Sequence, residues 1–297
     1  MRVLTHTVIE AEAGQPVKQL LLHLWGISGS FLSRLKFRQA ITVNGAPVTV
    51  RFVPCPGDVL AADVSDLPGE HPHIRPVDFP LDILYEDEDL LLINKPAGIA
   101  VHPAALTEET ATIAGAAAHY LHSESFHAVN RLDRGTTGVM AVAKTGFIHA
   151  RCMAMLHTDD FRREYRAVCE GIPSPAEGDI DLPIGRAESS LLKRQADPLG
   201  QQLAHTHYEV LAASQGRALL RLTPTTGRTH QLRVHMAAIG HPLTGDWLYG
   251  TEDRALIARP ALHSYHLRMM HPLTGTTIDV TAPLPEDIQR LLKEERL

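Results

Sequence analysis

The sequence predicts an α+β protein with a mixed, mainly antiparallel central sheet flanked by helices, and with a small α/β module at its N-terminus. Three patterns support this prediction. Residues 139–143 form a continuous apolar run, which is typical of a buried strand. Residues 163–170 alternate polar and apolar side chains, as a half-exposed strand does. Residues 230–239 place apolar side chains at helical spacing, which predicts a helix with one buried face.

Composition limits the class of protein. The chain has 297 residues, enough for two domains, and its 44% hydrophobic and 21% charged content is that of a globular protein in water. No apolar run approaches the length of a membrane span, and Glu10 introduces an acid too early for a secretory signal peptide. We therefore expect a cytoplasmic protein with no membrane partner.

Charge and cysteine content narrow the class further. The formal net charge is −6, so a polyanionic partner has to be bound by local basic patches rather than by bulk charge. The three cysteines are scattered without a Cys-x-x-Cys pair, which argues against a zinc ribbon and against a disulfide framework. We expect reduced and mostly buried thiols.

The N-terminal module begins with two predicted helices. Residues 17–24 carry a helical apolar stripe that ends near Gly26. Residues 31–38 form the second helix, for which either Ser28 or Ser30 supplies the N-terminal cap.

A hairpin and a closing turn follow these helices. Asn44-Gly45 lies between two β-rich runs, which is a strong signal for a two-residue hairpin turn. Pro-Gly-Asp at residues 56–58 turns the chain into a last strand at residues 59–62. Two helices, a hairpin and this closing turn resemble the S4-like RNA-binding module.

The chain therefore divides into an S4-like module at residues 1–63, a linker at residues 64–80 that is rich in Pro, Asp and His, and a larger unit at residues 81–297. The basic residues of the module's second helix are candidate RNA contacts: Arg34, Lys36 and Arg38. We expect the two arginines to share one face of that helix. An ordinary solvated helix face is the alternative interpretation.

The larger unit begins with an acidic hairpin. Residues 83–95 predict two short strands around an acidic turn at residues 86–89, which we expect to be a solvated hairpin tip. Lys95 and His102 either face a pocket or make a salt bridge and a loop hydrogen bond. Residues 107–122 are rich in Ala and predict a helix.

A loop at residues 127–138 leads into the buried strand at residues 139–143. It carries Asp133 between Arg131 and Arg134. A carboxylate held between partial burial and neighbouring cations is suited to chemistry. The alternative is a structural Asp that caps the loop through the backbone. Spacing alone does not decide between the two.

Tyr165 lies on the next predicted strand. In the alternating pattern of residues 163–170 it shares the inner face with Ala167 and Cys169, while Arg166 points outward. A buried Tyr usually packs and makes one hydrogen bond, and near an active carboxylate it can also stack on a planar substrate.

The remaining elements follow from the same periodicities: a helix at 147–157, strands at 206–211 and 218–222, further strands between 261 and 285, and an amphipathic helix at 285–297. Thr229 is predicted to cap the helix at residues 230–239. Arg233 lies beside the apolar stripe of that helix, so its guanidinium can reach inward along the edge.

Common enzyme fingerprints are missing from the sequence. It has no Walker or dinucleotide fingerprint, no His-Glu-x-x-His and no Gly-x-Ser-x-Gly. His230 and His235 are five residues apart, not the four that suits two metal ligands on one helix face. We therefore predict no metal site. A hydrolase that binds a metal through these two His and nearby acids is a rival hypothesis.

Three blocks of sequence resemble the RluA-type family of RNA pseudouridine synthases, in both order and spacing. They are residues 130–138, 163–171 and 227–250. The resemblance continues through residues 94–98, 102–103, 184–186 and 262–263, and so covers about residue 81 to the C-terminus. The chain departs from the family at Asn130, where His is common, at Gly135, where an acid is common, and at Thr137, where Ser is common.

The resemblance implies the fold of a pseudouridine synthase and the isomerisation of uridine to pseudouridine in RNA, without cofactor or metal. The base is detached at N1, rotated and rejoined through C5. Asp133 matches the catalytic aspartate, which acts as a nucleophile or as the base of a glycal route. Tyr165 matches the tyrosine that stacks on the uracil, and Arg233 matches the basic residue that keeps the aspartate ionised. Leu232 would wall the pocket, and Arg131 matches a residue that fills the space left by the flipped base.

Further basic residues are candidate substrate contacts. Arg134 and Arg228 are assigned, with Arg131 and Leu232, to substrate binding. The candidate phosphate contacts are Arg134, Arg163, Arg166, Arg186, Lys193, Arg194 and Arg228. An ordinary surface charge is the alternative for each of them.

The expected partner is RNA, bound by a monomer. An S4-like module coupled to this catalytic domain favours ribosomal RNA of the 23S type, with transfer RNA as the alternative. A non-catalytic RNA-binding or assembly protein that has kept the fold is the rival from another class. The presence of Asp133, Tyr165 and Arg233 together argues against that rival.

Overall fold

The computed structural model describes residues 1–66, 74–103, 111–187, 190 and 192–297 of the chain. Parts of two predictions lie outside the described residues. These are the centre of the linker, at 67–73, and the start of the Ala-rich helix, at 107–110.

The N-terminal residues form a small sheet and two helices. In chain order the elements are β1 (Val3–Thr7), α1 (Val17–Trp25), α2 (Gly29–Phe37), β2 (Ile41–Val43), β3 (Ala46–Pro47) and β4 (Val59–Asp63), with a turn of 3-10 helix at Glu10–Glu12. The strands pair antiparallel in the order β1-β4-β2-β3. Both helices, the hairpin and the last strand were predicted from sequence, whereas β1 was not.

Local side-chain chemistry explains two of these boundaries. Asn44 and Gly45 adopt φ angles of 50° and 79°, the left-handed pair that a two-residue hairpin turn requires. The Ser28 hydroxyl accepts a hydrogen bond from the Phe31 N–H at 3.2 Å, so Ser28 caps α2.

The rest of the chain is built on a ten-stranded sheet. Its strands are β5 (Ile83–Glu86), β6 (Leu90–Lys95), β7 (His127–Ala128), β8 (Thr137–Ala143), β9 (Phe161–Glu170), β10 (Glu177–Asp181), β13 (His205–Ser214), β14 (Arg217–Pro224), β15 (Leu262–Met270) and β16 (Thr277–Thr281). Two further strands, β11 (Ile184–Arg186) and β12 (Arg194–Ala196), form a separate hairpin. The sheet order is β10-β13-β14-β9-β15-β8-β6-β5, with β16 beside β15 and β7 beside β8. Only the ladder between β8 and β15 is parallel among the described strands, which confirms a mixed, mainly antiparallel sheet.

Four helices pack around this sheet: α3 (Ile113–Tyr120), α4 (Gly146–Met155), α5 (Gln231–Ala238) and α6 (Glu286–Glu295). In the described ranges no helix combines the length and the apolar character that crossing a bilayer would need.

The parallel contact between β8 and β15 sets the position of the loop that carries Asp133. Gly138 faces Ser264 across this ladder with φ 105°, and a Cβ at Gly138 would lie 2.1 Å from the Ser264 carbonyl oxygen. Only glycine permits this approach. Ser264 in turn pairs with Tyr165 of β9. The strand that follows the Asp133 loop is therefore separated from the Tyr165 strand by one strand.

One hydrophobic core joins the N-terminal elements to the large sheet. Leu20 and Leu35 belong to the same buried cluster as Leu92 and Phe147. The rings of Phe31 and Phe147 lie 5.0 Å apart between centroids. Because buried side chains from both parts interdigitate, α2 and the large sheet are held in one fixed relation.

Polar contacts reinforce the same interface and correct one prediction. Arg151 Nη1 donates to the Trp25 carbonyl at 2.7 Å. Arg2 Nε and Nη2 donate to the Asp89 carboxylate at 2.7 and 3.0 Å, and Asp89 is buried. The prediction that the whole turn at residues 86–89 is solvated is therefore wrong, because a distant arginine covers its last acid.

Candidate active site

Three basic side chains tie the loop that precedes β8 to its surroundings. Lys95 Nζ donates to the carbonyl of Arg134 at 3.2 Å, and Arg134 Nε donates to the carbonyl of Gly98 at 2.8 Å. Arg259 Nη1 donates to the carbonyl of Gly135 at 3.0 Å. The carboxylate that this loop carries is thus presented from a backbone fixed on several sides.

The contribution of Lys95 to the free energy of unfolding depends on pH. Lys95 is fully buried, and burial lowers its pKa to about 7. Between that pH and the ordinary lysine pKa of about 10.4, the unfolded chain binds one more proton than the folded protein. Stability then rises with pH, by at most about 1.4 kcal/mol per unit. We expect the free energy of unfolding of the wild type, relative to Lys95→Met, to increase from about pH 7 to about pH 9.

Urea denaturation of both proteins across that pH range measures this difference. Lys18→Met is the matched control, since Lys18 is exposed and its removal should leave the pH dependence unchanged. A difference between the wild type and Lys95→Met that stays constant with pH would contradict the prediction.

An arginine and two carboxylates form the charged centre of the site. Arg233 Nη1 lies 3.5 Å from Asp133 Oδ2. Its main partner is Asp246, whose two oxygens accept from Nε and Nη2 at 2.7 Å each. Asp246 is fully buried, whereas the Asp133 side chain keeps 27% of its exposure. Arg233 is therefore oriented by Asp246 and presented to Asp133.

This arrangement keeps the guanidinium charged. Burial alone would lower the pKa of Arg233, but the hydrogen bonds and charge of Asp246 and the charge of Asp133 outweigh it and raise the pKa. A unit charge at this distance contributes roughly 4 kcal/mol of attraction to a carboxylate before the cost of desolvation. Arg233 thus places a positive charge beside the Asp133 carboxylate.

Tyr249 supports Arg233 from its other side. The guanidinium lies 5.0 Å from the centroid of the Tyr249 ring. The Tyr249 hydroxyl accepts from the Arg194 N–H at 2.8 Å and lies 2.9 Å from His230 Nδ1. Burial lowers the pKa of His230, and a neutral His230 ring can accept a hydrogen bond from the Tyr249 hydroxyl. Asp246 and Tyr249 were missed as functional residues, although both lie in the matching block at 227–250.

A cavity of about 470 Å³, here called the Asp133 cavity, opens in front of these groups. The predicted site residues that line it are Arg131, Asp133, Arg163, Tyr165, Arg228, Leu232 and Arg233. Tyr165 is buried. Burial raises the pKa of its phenol, and the charge of Asp133 acts in the same direction. The phenol therefore stays protonated at neutral pH.

The other predicted contacts lie away from this cavity. Arg134 borders a neighbouring groove. Arg166 pairs with Glu164, and its guanidinium lies 4.4 Å from the Tyr265 ring centroid. The remaining candidates lie on the β11–β12 hairpin or its connection: Arg186, Lys193 and Arg194.

The basic residues in and just after α2 differ in exposure. Arg34 and Lys36 are exposed. Arg38 follows the end of the helix and turns inward, where Nη1 donates to the Ser65 carbonyl at 2.8 Å and Nη2 lies 3.7 Å from the Asp63 carboxylate. Arg38 is therefore engaged with its own chain, whereas Arg34 and Lys36 are the exposed basic residues of this helix.

The start of α5 also differs from the prediction. Thr229 does not cap the helix. His230 takes the cap position with φ 58° and makes no side-chain cap bond. Gln231 Oε1 instead accepts from the Arg228 N–H at 3.0 Å and from the Thr226 hydroxyl at 2.8 Å. A side chain from inside the helix thus closes the turn before it.

Comparison with known proteins decides the family. The sequence pattern described as RNA pseudouridylate synthase matches residues 89–238. An uncharacterized RNA pseudouridine synthase of Bacillus subtilis (strain 168), YjbO, is 41% identical over 275 residues, which cover 91% of this chain and 96% of that protein. The chain belongs to the RNA pseudouridylate synthase family.

Two further relatives support this membership. Ribosomal large subunit pseudouridine synthase D of Escherichia coli (strain K12) is 36% identical over 311 residues, covering 99% of this chain and 94% of that protein. The solved structure of human RNA pseudouridylate synthase domain containing 4 is 26% identical, with a TM-score of 0.58 over 72% of this chain and 93% of that one. Pseudouridylate synthases are isomerases that convert uridine to pseudouridine in RNA. The predicted family, fold class and enzyme class are confirmed.

The departures of this pseudouridylate synthase from the RluA-type pattern have local structural reasons. Asn130 Oδ1 accepts a backbone N–H of β8 at 2.8 Å, which ties the loop to the strand. A Cβ at Gly135 would lie 3.3 Å from Pro260 Cδ, so a larger side chain meets that ring. Burial lowers the pKa of His263 to about 4, and its neutral Nδ1 lies 2.8 Å from the Thr137 hydroxyl. Thr137 keeps the hydroxyl that this bond needs.

His230, at the start of α5, and His235, within it, are both engaged in hydrogen bonds. His235 Nδ1 lies 2.9 Å from the Thr206 hydroxyl and Nε2 lies 2.9 Å from the Leu182 carbonyl. His230 contacts Tyr249. Across the part of the chain that the structure describes, no three His, Cys, Asp or Glu are grouped so that they could hold a metal ion. The metal-dependent hydrolase hypothesis therefore has no site in these ranges.

Proposed function

We propose that this pseudouridylate synthase modifies ribosomal RNA of the large subunit, with Asp133 as the reacting carboxylate. The observation that carries the proposal is the convergence of an acid, a phenol and a guanidinium on the Asp133 cavity, from Asp133, Tyr165 and Arg233. The Escherichia coli relative that is named for the ribosomal large subunit matches 99% of this chain, which favours ribosomal RNA over transfer RNA.

The reaction needs the target base outside its stack. Flipping a nucleotide costs roughly a few kcal/mol, which contacts in and around the cavity have to offset. Arg131 is exposed beside Asp133 and is the residue proposed to occupy the vacated space. Arg228 and Arg163 also line the cavity and contribute positive charge toward the phosphates.

Within the cavity the bond between N1 and C1′ breaks and a bond between C5 and C1′ forms. The C5 proton leaves and N1 gains a proton, so the atoms balance without a cofactor. Asp133 either attacks C1′ as a nucleophile or, in a glycal route, removes the proton on C2′ as a base. In both routes the Arg233 charge lies beside this carboxylate, and the ring of Tyr165 stacks on the uracil beside Leu232.

Incubation of the purified protein with large-subunit ribosomal RNA and with transfer RNA, followed by pseudouridine mapping, tests the proposal. We expect new pseudouridines at defined positions of the ribosomal RNA. Modification of transfer RNA alone would establish the reaction and reject the proposed RNA. Binding without pseudouridine in either RNA would favour the non-catalytic assembly protein.

We further propose that the exposed part of α2 binds RNA, as the S4-like resemblance implies. Arg34 and Lys36 stand beside Phe37, which is 92% exposed. Basic residues with an exposed aromatic between or beside them suit a phosphate backbone and its bases. Arg34→Glu with Lys36→Glu should weaken RNA binding. It should also reduce the slope of log affinity against log salt by about 1.4 to 1.8, the value for two lost phosphate contacts.

Filter-binding or anisotropy titrations at several salt concentrations measure that slope. The matched control reverses two charges on α6, Arg290→Glu with Lys293→Glu, and should leave the slope nearer its original value. Equal slopes for the wild type and the α2 variant would exclude this helix as an RNA contact.

The proposal includes a cytoplasmic monomer. Cys152 and Cys169 are buried and free, and Cys55 is exposed and free, which suits a reducing compartment. Asp133, Tyr165 and Arg233 line one cavity within the chain, and the proposed reaction needs no side chain from a second copy.

A further inference from the structure

A second cavity, of about 780 Å³, lies against the Asp133 loop and is called here the Trp247 groove. It shares Asp133, Arg131 and Arg233 with the Asp133 cavity. The groove then runs away from Tyr165 toward Trp247 and Leu192. Asp133 therefore stands where two cavities meet, and the proposed reaction accounts for only one of them.

Large apolar side chains of the groove are left in solvent. Trp247 is 55% exposed and Leu192 is 67% exposed. An indole with this much exposure loses the free energy that its burial would provide. Exposed apolar side chains next to a charged rim are typical of a surface that another molecule covers.

The backbone on either side of Trp247 is held by hydrogen bonds to Asp246. Asp246 is fully buried, and its Oδ1 accepts from the N–H groups of Leu248 and Tyr249 at 3.0 and 3.2 Å. The N–H of Gly250 donates to the Asp246 carbonyl at 2.8 Å. Trp247 therefore sits on a preformed turn, and an occupant would not have to order it.

The charge of the groove identifies the kind of occupant. Arg233 and Arg259 line its inner part. Arg233 pairs with Asp246, and Arg259 pairs with Asp287. Arg131 and Arg134 are both exposed and border the groove, so its outer part is cationic. A flat aromatic surface beside positive charge, continuous with the cavity for the target base, fits single-stranded nucleic acid.

We propose that Trp247 stacks on the base of a nucleotide that flanks the target uridine, with Arg131 near the adjoining phosphate. This inference rests on the proposed function, because it takes the bound molecule to be the RNA whose target uridine enters the Asp133 cavity. The stack holds the strand on the side of the loop opposite Tyr165. Trp247 is a positioning residue, because its ring binds the neighbour of the reacting nucleotide and not the reacting atoms.

Steady-state kinetics on a fragment that contains the mapped uridine test the proposal. We expect Trp247→Ala to raise KM roughly tenfold with kcat nearly unchanged, which is within the range for one lost base stack. Trp247→Phe should restore part of the loss because it keeps an aromatic face. Ile172→Ala is the matched control, as Ile172 is 49% exposed and belongs to neither cavity.

Fluorescence gives a readout that does not depend on turnover. The chain has two tryptophans, so Trp25→Phe leaves Trp247 as the sole indole. Saturating single-stranded oligouridylate should quench its emission, since stacked bases quench indole. Unquenched emission, or a KM for Trp247→Ala equal to that of the wild type, would overturn the stacking role.

The two proposals fail in different ways. Quenching by oligouridylate without pseudouridine formation by the wild type would reject the proposed function and retain the stack. Pseudouridine formation with no effect of Trp247→Ala and no quenching would retain the function and reject the stack.

Discussion

Asp133→Asn is expected to abolish pseudouridine formation, with a loss of kcat on the order of 10³-fold or more. An amide can neither attack C1′ nor remove a proton, so both routes open to Asp133 fail. The fold should survive the change. The Asp133 side chain is 27% exposed, and its Arg233 contact is a single one at 3.5 Å, so we expect less than about 1 kcal/mol of lost stability.

Pseudouridine mapping, with thermal unfolding of the same samples, measures the two effects separately. Asp159→Asn removes a comparable charge at a side chain that is 91% exposed, and it should behave as the wild type in both assays. Equal pseudouridine signals from Asp133→Asn and the wild type would show that another group carries the reaction.

Asp246→Asn is expected to reduce both stability and activity. The change leaves the buried Arg233 without its bidentate partner, and breaking a buried ion pair in this way costs about 3–5 kcal/mol. It also frees the guanidinium to rotate, so Asp133 loses the oriented charge that lies 3.5 Å away. Urea denaturation and kcat on the mapped RNA measure the two losses.

A double-mutant cycle separates stability from catalysis. Arg233→Met with Asp246→Asn removes the unpaired buried charge and should recover part of the stability that Asp246→Asn loses. Activity should remain low, because no cation then faces Asp133. Recovery of activity along with stability would mean that Arg233 serves the fold and not the reaction.

Local patterns predicted most of the fold. β8 was recognised from the apolar run at residues 139–143, which is apolar because the whole strand is buried, while its first two residues, Thr137 and Gly138, were assigned to the preceding loop. The hairpin at Asn44-Gly45 was recognised because its left-handed backbone favours those two residues. β1 was missed because a five-residue strand is defined by its partner β4, and no local pattern identifies that partner. The burial of Asp89 depends on Arg2, 87 residues earlier in the chain.

The sequence named Asp133, Tyr165 and Arg233, which line one cavity, but it did not predict the geometry that brings them together. Resemblance, rather than spacing, identified Asp133, Tyr165 and Arg233. The bidentate pair between Arg233 and Asp246 joins a helix to a turn 13 residues further on. Whether such residues meet depends on how the chain turns between them. Trp247 drew no attention because an exposed apolar side chain becomes informative only when its neighbours are known.

The core shared by the N-terminal elements and the large sheet has a consequence for the choice of uridine. Leu35 of α2 and Phe147 of α4 lie in one packed cluster, so the outer surface of α2 and the Asp133 carboxylate keep a constant separation. If α2 binds RNA as proposed, the fixed distance from α2 to Asp133 selects the uridine that reacts. The enzyme would modify the uridine that the folded RNA holds at that span, and a uridine of identical local sequence at another distance would be passed over.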